Sequence, residues 1–103
     1  MNPIILEAYG DQISARLRAQ GLTHLQVGKR GQHLGIYATD SEGVSVNRAR
    51  FSWRHGQTFA LEIADPWGRW RATGARGPVP DLLAVLLDRF AVVLYRSPEQ
   101  SGE

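Results

Sequence analysis

The chain has no cysteine. Disulfide frameworks and thiolate metal sites are thereby excluded, which agrees with a reducing, cytoplasmic setting. It also lacks any apolar run near the ~20 residues of a membrane-spanning helix, so no membrane association is expected. The opening Met1 to Leu6 carries no basic stretch, so no secretory leader is expected there. Lysine is nearly missing, since eleven of the twelve basic residues are arginine. A base-composition bias in the source genome explains that excess most simply. Selection for planar, bidentate guanidinium contacts is the functional alternative.

Catalytic patterns are equally scarce. His24, His33 and His55 stand at no ligand spacing, and no Cys, Asp or Glu completes a set around them, so neither metal nor cofactor is expected. No serine sits in a nucleophile elbow, and Gly28-Lys29-Arg30-Gly31 lacks the spacing and the Ser/Thr of a phosphate loop. Glu7 and Asp11, one helical turn apart, read as a solvated helix face. The chain is read as non-enzymatic.

What is present is a core and an uneven charge distribution. The 103 residues, 43% of them hydrophobic, suit one domain with one core, drawn here as residues 1–96 with a disordered polar tail at 97–103. Net charge is only +2. Yet residues 43–76 hold six arginines against Glu62 and Asp65, while the flanking segments are balanced or acidic.

Those arginines alternate with apolar residues at the spacing of strands. Side chains in a strand point alternately to the two faces. Ala49, Phe51 and Trp53 then face inward, and Arg48, Arg50, Ser52 and Arg54 outward. A three-residue loop at His55-Gly56-Gln57 sets Trp53 against Phe59, Phe51 against Leu61 and Ala49 against Ile63, which keeps both apolar faces together. It also sets Arg50 opposite Glu62. Asp65-Pro66-Trp67-Gly68 has the type I turn signature. As a four-residue loop it pairs Ile63 with Trp70 and Glu62 with Arg71, leaving Glu62 between Arg50 and Arg71. Upstream, Leu22 to Lys29 and Gln32 to Thr39 form a hairpin about Arg30-Gly31, with Val27 against Leu34 and His24 opposite Tyr37. Val44 and Val46 lie in the even phase and Ala49 to Trp53 in the odd one, so a bulge is expected near Asn47-Arg48.

Helices close both ends. Leu6, Tyr9, Ile13 and Leu17 recur at helical spacing over residues 4 to 20, and Gly21 is a terminator. Pro80 and Asp81 open a second helix carrying Leu82, Leu83, Leu86, Leu87, Phe90, Val93 and Leu94. Residues 91–96 are kept helical despite the strand propensity of Val92 to Tyr95. No internal repeat stands out. The fold class is α+β, a two-layer sandwich: a five-stranded antiparallel meander with an N-terminal and a C-terminal helix on one face.

That order of elements is similar to frataxin, as is a tryptophan, Trp70, on the last strand before a Leu-rich helix. The resemblance implies a fold and not iron delivery, because the acidic ridge of that family reduces here to Glu7 and Asp11. The meander-then-helix half is similar to single-strand-binding transcriptional coactivators, again at the level of fold.

One constellation suggests a function. The outer sheet face gathers Tyr37, Arg48, Arg50, Arg54, Arg69 and Arg71 with His24, and Trp67 sits on the adjoining turn. Arg, Tyr and Trp are the residue types enriched at interface hot spots. The expected function is binding of a protein partner, or self-association, through this face or a sheet edge. Single-stranded nucleic acid is the second candidate, its bases stacking on aromatics and its phosphates meeting arginine.

Overall fold

The computed structural model describes residues 1–95. The expected tail at 97–103 lies outside the described residues. Helix α1 (Pro3–Ala19) is followed by strands β1 (Leu25–Arg30), β2 (His33–Thr39), β3 (Ser45–His55), β4 (Thr58–Ala64) and β5 (Trp70–Gly77), then α2 (Val79–Arg89) and α3 (Ala91–Tyr95). The strands form one antiparallel sheet in the order β1-β2-β3-β4-β5. This is the expected α+β meander flanked by N-terminal and C-terminal helices. Among the described residues, no helix is long and apolar enough to cross a membrane.

Local chemistry sets the helix ends. Asn2 caps α1 by accepting from the Ile4 N–H at 2.8 Å. The helix stops in a Schellman arrangement, with Leu22 N–H donating to Leu17 O and Gly21 N–H to Arg18 O. Pro78 precedes the first turn of α2. The last helical stretch breaks at Phe90, and Ala91–Tyr95 turn again as a separate short helix.

The core lies between the helices and one sheet face. Leu6, Ile13 and Leu17 of α1 and Val79, Leu82, Leu83 and Leu86 of α2 close over Leu34, Ile36, Phe51, Phe59 and Leu61. Burying each such large side chain stabilises by about 1.5–3 kcal/mol before entropy. Gly10, buried on α1, lets the helix approach: a Cβ there would lie 3.4 Å from Leu34 Cδ2. Tyr9 meets Phe59 edge to face, with ring centroids 5.5 Å apart.

The central pairs are as expected: Trp53↔Phe59, Phe51↔Leu61, Ala49↔Ile63 and Arg50↔Glu62. His55 pairs with Thr58, however, so the loop is the two residues Gly56-Gln57 and not His55-Gly56-Gln57, and a bulge at Arg54 absorbs the difference. The two outer hairpins differ. In the first, the two-residue turn is Gly31-Gln32, not Arg30-Gly31, so Val27 meets Ile36 and Tyr37 meets Gln26. Inside and outside are unchanged, because the slip is two residues. His24 therefore does not face Tyr37; its Nε2 lies 3.1 Å from Leu94 O, against α3.

In the last hairpin the loop has three residues rather than four. Asp65 and Arg69 close it, with Asp65 N–H donating to Arg69 O at 2.8 Å. The type I turn is present, shown by Gly68 N–H donating to Asp65 O. Gly68 then takes φ 83°, the left-handed step of a three-residue loop. One residue fewer flips β5, so Ala64 meets Trp70 and Ile63 meets Arg71. Trp70 is thus on the outer face and Arg71 is not beside Glu62.

The turns recur 25 positions apart, Gly31-Gln32 with Gly56-Gln57 and Asp40…Gly43 with Asp65…Gly68. The meander is therefore a hairpin plan used twice. In both Asp-x-x-Gly loops the carboxylate accepts two backbone N–H groups, from Glu42 and Val44 in one and from Trp67 and Arg69 in the other. Asp40 N–H donates to Val44 O just as Asp65 N–H donates to Arg69 O, and Gly43 and Gly68 share φ 83°.

Candidate functional site

The expected bulge is present, and it removes Arg48 from the outer face. Ile36 pairs with Ala49 and Tyr37 with Asn47, so Arg48 is the extra residue. It continues the inward phase of Val46, and its side chain is 0% exposed. Sequence parity placed the bulge correctly but put Arg48 on its wrong side.

Arg50 stays outside and is engaged. It donates to Glu62 through Nε at 2.9 Å and a terminal nitrogen at 3.1 Å, a bidentate pair. Its guanidinium also stacks over the Trp70 ring at 4.4 Å. Ser52, buried beneath, donates to Glu62 at 2.7 Å, and His33 Nδ1 lies 2.7 Å from Ser52 Oγ. An ionised carboxylate only accepts, so the serine proton goes to Glu62 and His33 Nδ1–H donates to the serine. A serine in the middle of the chain, with its proton committed to the carboxylate, is a structural link and not an activated nucleophile. The Arg50 bond holds Glu62 below the usual carboxylate range against the effect of burial, with Ser52 helping. Burial, then the Arg50 charge, keep His33 below its ordinary value despite Glu62, with Arg54 adding to the effect.

Arg71 is paired with Asp65 at 3.1 Å instead of Glu62. Burial pushes the Asp65 pKa up, but the N–H groups of Arg69 and Trp67 and the Arg71 side chain more than offset it, leaving it low. Arg54 and Arg69 are exposed. Tyr37 is half-buried and lies over Gly28, where a Cβ would come 3.3 Å from Tyr37 Cε1. The seven residues expected on one face thus separate. Tyr37, Arg50 and Arg54 share the outer face. Arg48 is in the core, and Trp67, Arg69 and Arg71 belong to the β4–β5 loop and its stem.

The two Asp-x-x-Gly loops lie at one end of the sheet and flank the start of β3. Between the start of β3 and the Asp65–Gly68 loop is an open cleft of about 350 Å³ lined by Ser45, Val46, Asn47, Asp65, Pro66, Trp67 and Gly68. Trp67 is 64% exposed and Val44, on the sister loop, 55%. Reading each turn singly missed the pairing of these loops; the repeated Asp-x-x-Gly was the signal that would have found it. A second cleft, of about 310 Å³, runs between α1 and β1 past Glu7, Gly10, Asp11, Ser14, Val27 and Lys29. Among the described residues, no three His, Cys, Asp or Glu side chains come together as a metal site.

Compared with known protein families, curated proteins and solved structures, the chain matches none.

Proposed function

We propose that the chain is a non-enzymatic binding module that engages a protein partner at the twin-loop end of the sheet, with Trp67 as its anchor. The observation that carries this reading is the pairing of exposure with rigidity at Trp67. The ring stands in water, while its turn is held by five bonds, all to Asp65: its carboxylate takes the Trp67 and Arg69 N–H groups and the Arg71 guanidinium, and its backbone bonds Gly68 and Arg69. A side chain carried on a preordered turn leaves little backbone entropy to lose on docking, and tryptophan is among the strongest interface anchors. The adjoining cleft, with Val46 and Pro66 in its lining, supplies apolar surface beside it.

Pairing through a sheet edge is less well supported. β1 ends in Lys29-Arg30, and β5 is interrupted at Thr73 to Ala75, where Leu61 faces the extra residues. Charges and bulges are the devices that discourage strand addition.

The test is affinity capture with the full chain, comparing wild type with Trp67→Ala and with Arg89→Ala as a distant control. A partner retained by wild type and Arg89→Ala but lost with Trp67→Ala supports the reading. An identical retained set for all three removes Trp67 as the anchor. Sedimentation velocity tells whether the partner is a second copy.

A further inference from the structure

At the end of the outer face opposite Trp67, the register assembles a second cationic surface. Arg30 pairs with His33, His33 with Ser52, Ser52 with Ala60 and Ala60 with Arg76. These residues form one row across all five strands, about 19 Å from end to end at the usual strand spacing. Arg54, the extra residue of a bulge two positions beyond Ser52, lies close enough for its charge to act on both His33 and Glu62 of the outer face. Arg30, Arg54 and Arg76 are exposed, and none forms an ion pair among the described residues. Glu62, the acid on which the Arg54 charge acts, is neutralised by Arg50. The middle of the row is low, because Ser52 and Ala60 are small and buried.

We infer that this row binds the phosphates of a single-stranded nucleic acid laid across the strands. Three uncompensated charges, two at the ends of the row and one beside its middle, repel each other and call for a polyanion rather than one small anion. All three are guanidiniums, which meet phosphate oxygens bidentately. The next rows supply what bases need. Tyr37 packs against Gly28, and Trp70 carries the Arg50 guanidinium stacked on it. Aromatic rings and stacked guanidiniums receive unstacked bases. An acidic peptide has the charge for the row but no use for those platforms, and a duplex keeps its bases stacked within itself. This surface is distinct from the Trp67 cleft, and the inference does not depend on that reading.

The experiment is fluorescence anisotropy of the full chain with a fluorescein-labelled oligothymidylate, titrated from about 20 to 200 mM KCl. Each phosphate neutralised on a single strand, with release of its counterion, contributes about 0.7 to the slope of log affinity against log salt. Replacing Arg30, Arg54 and Arg76 together by alanine therefore flattens the slope by about 2, while Arg69→Ala leaves it unchanged. Trp70→Leu weakens binding roughly tenfold at an unchanged slope; if that variant fails to fold, Tyr37→Leu is read in its place. Absence of binding at the lowest salt overturns the inference, as does an unchanged slope in the triple variant. Equal or tighter binding of the duplex, or of an oligoglutamate competitor, overturns it too, the latter in favour of an acidic peptide.

Discussion

Glu62 shows at single-residue scale how the outer face is held. Its side chain is 14% exposed and receives three hydrogen bonds, two from Arg50 and one from Ser52. Glu62→Gln keeps the shape but loses the charge, and is expected to cost about 2 kcal/mol near neutral pH, the scale of a hydrogen bond to a charged group. The pH dependence has a definite sign. With its folded pKa below the ordinary 4.5, Glu62 adds stability that is present above that value and lost as pH falls through the lowered one. His33, also lowered, contributes above its ordinary 6.5 and loses that contribution as pH falls from there toward its folded value. Urea denaturation from pH 7 downward should show wild type weakening in both ranges and Glu62→Gln with a smaller loss in the more acidic one, where Asp65, also lowered, still contributes. Parallel profiles would contradict the arrangement. Arg48 is the second test at this scale. Its burial makes Arg48→Ala a large-to-small core change, expected to cost about 2–4 kcal/mol. A surface arginine would cost almost nothing, so the same denaturation series separates the two placements. The burial was not legible beforehand, because alternation alone does not say which residue of a bulge is the extra one.

At the scale of elements, strands and helices were readable and loop lengths were not. Apolar alternation in Phe51–Trp53 and Phe59–Ile63 admits one pairing that keeps both faces together, and that pairing is observed. Asp65-Pro66-Trp67-Gly68 identifies its turn equally well whether the closing pair is Ala64 with Arg69 or Asp65 with Arg69. The difference of one residue decides the face of Trp70. What settles it is the left-handed step at Gly68 together with two N–H groups aimed at one carboxylate. The helical break at Phe90 has no comparable sequence mark: no Gly or Pro stands there. If the twin loops are built alike, Asp40→Ala and Asp65→Ala should destabilise similarly, by about 1–2 kcal/mol each, since each strands backbone donors that one carboxylate had satisfied. Urea midpoints of the two variants check this. A loss confined to one of them would mean that the shared hydrogen-bond pattern does not carry shared weight.

For the whole molecule, the helices cover one sheet face and leave the other open, with exposed aromatic surface at one end and uncompensated arginines at the other. The expectation of a single arginine face was too simple. Bulge, ion pairing and loop length removed Arg48, Arg50 and Arg71 from it as free cations, while Arg30 and Arg76 joined Arg54 at the far end. Trp67→Ala should leave the urea midpoint within about 0.5 kcal/mol of wild type, because the ring is exposed and its turn is held by Asp65. Its effect belongs to binding. The most direct measurement is photo-crosslinking from position 45, which lines the cleft together with Trp67, in cells of the source organism. With Trp67 present, a photoreactive residue replacing Ser45 should yield a discrete heavier adduct, and Trp67→Ala in the same chain should abolish it. An adduct that survives Trp67→Ala, or none with Trp67 intact, would contradict docking at this end of the sheet.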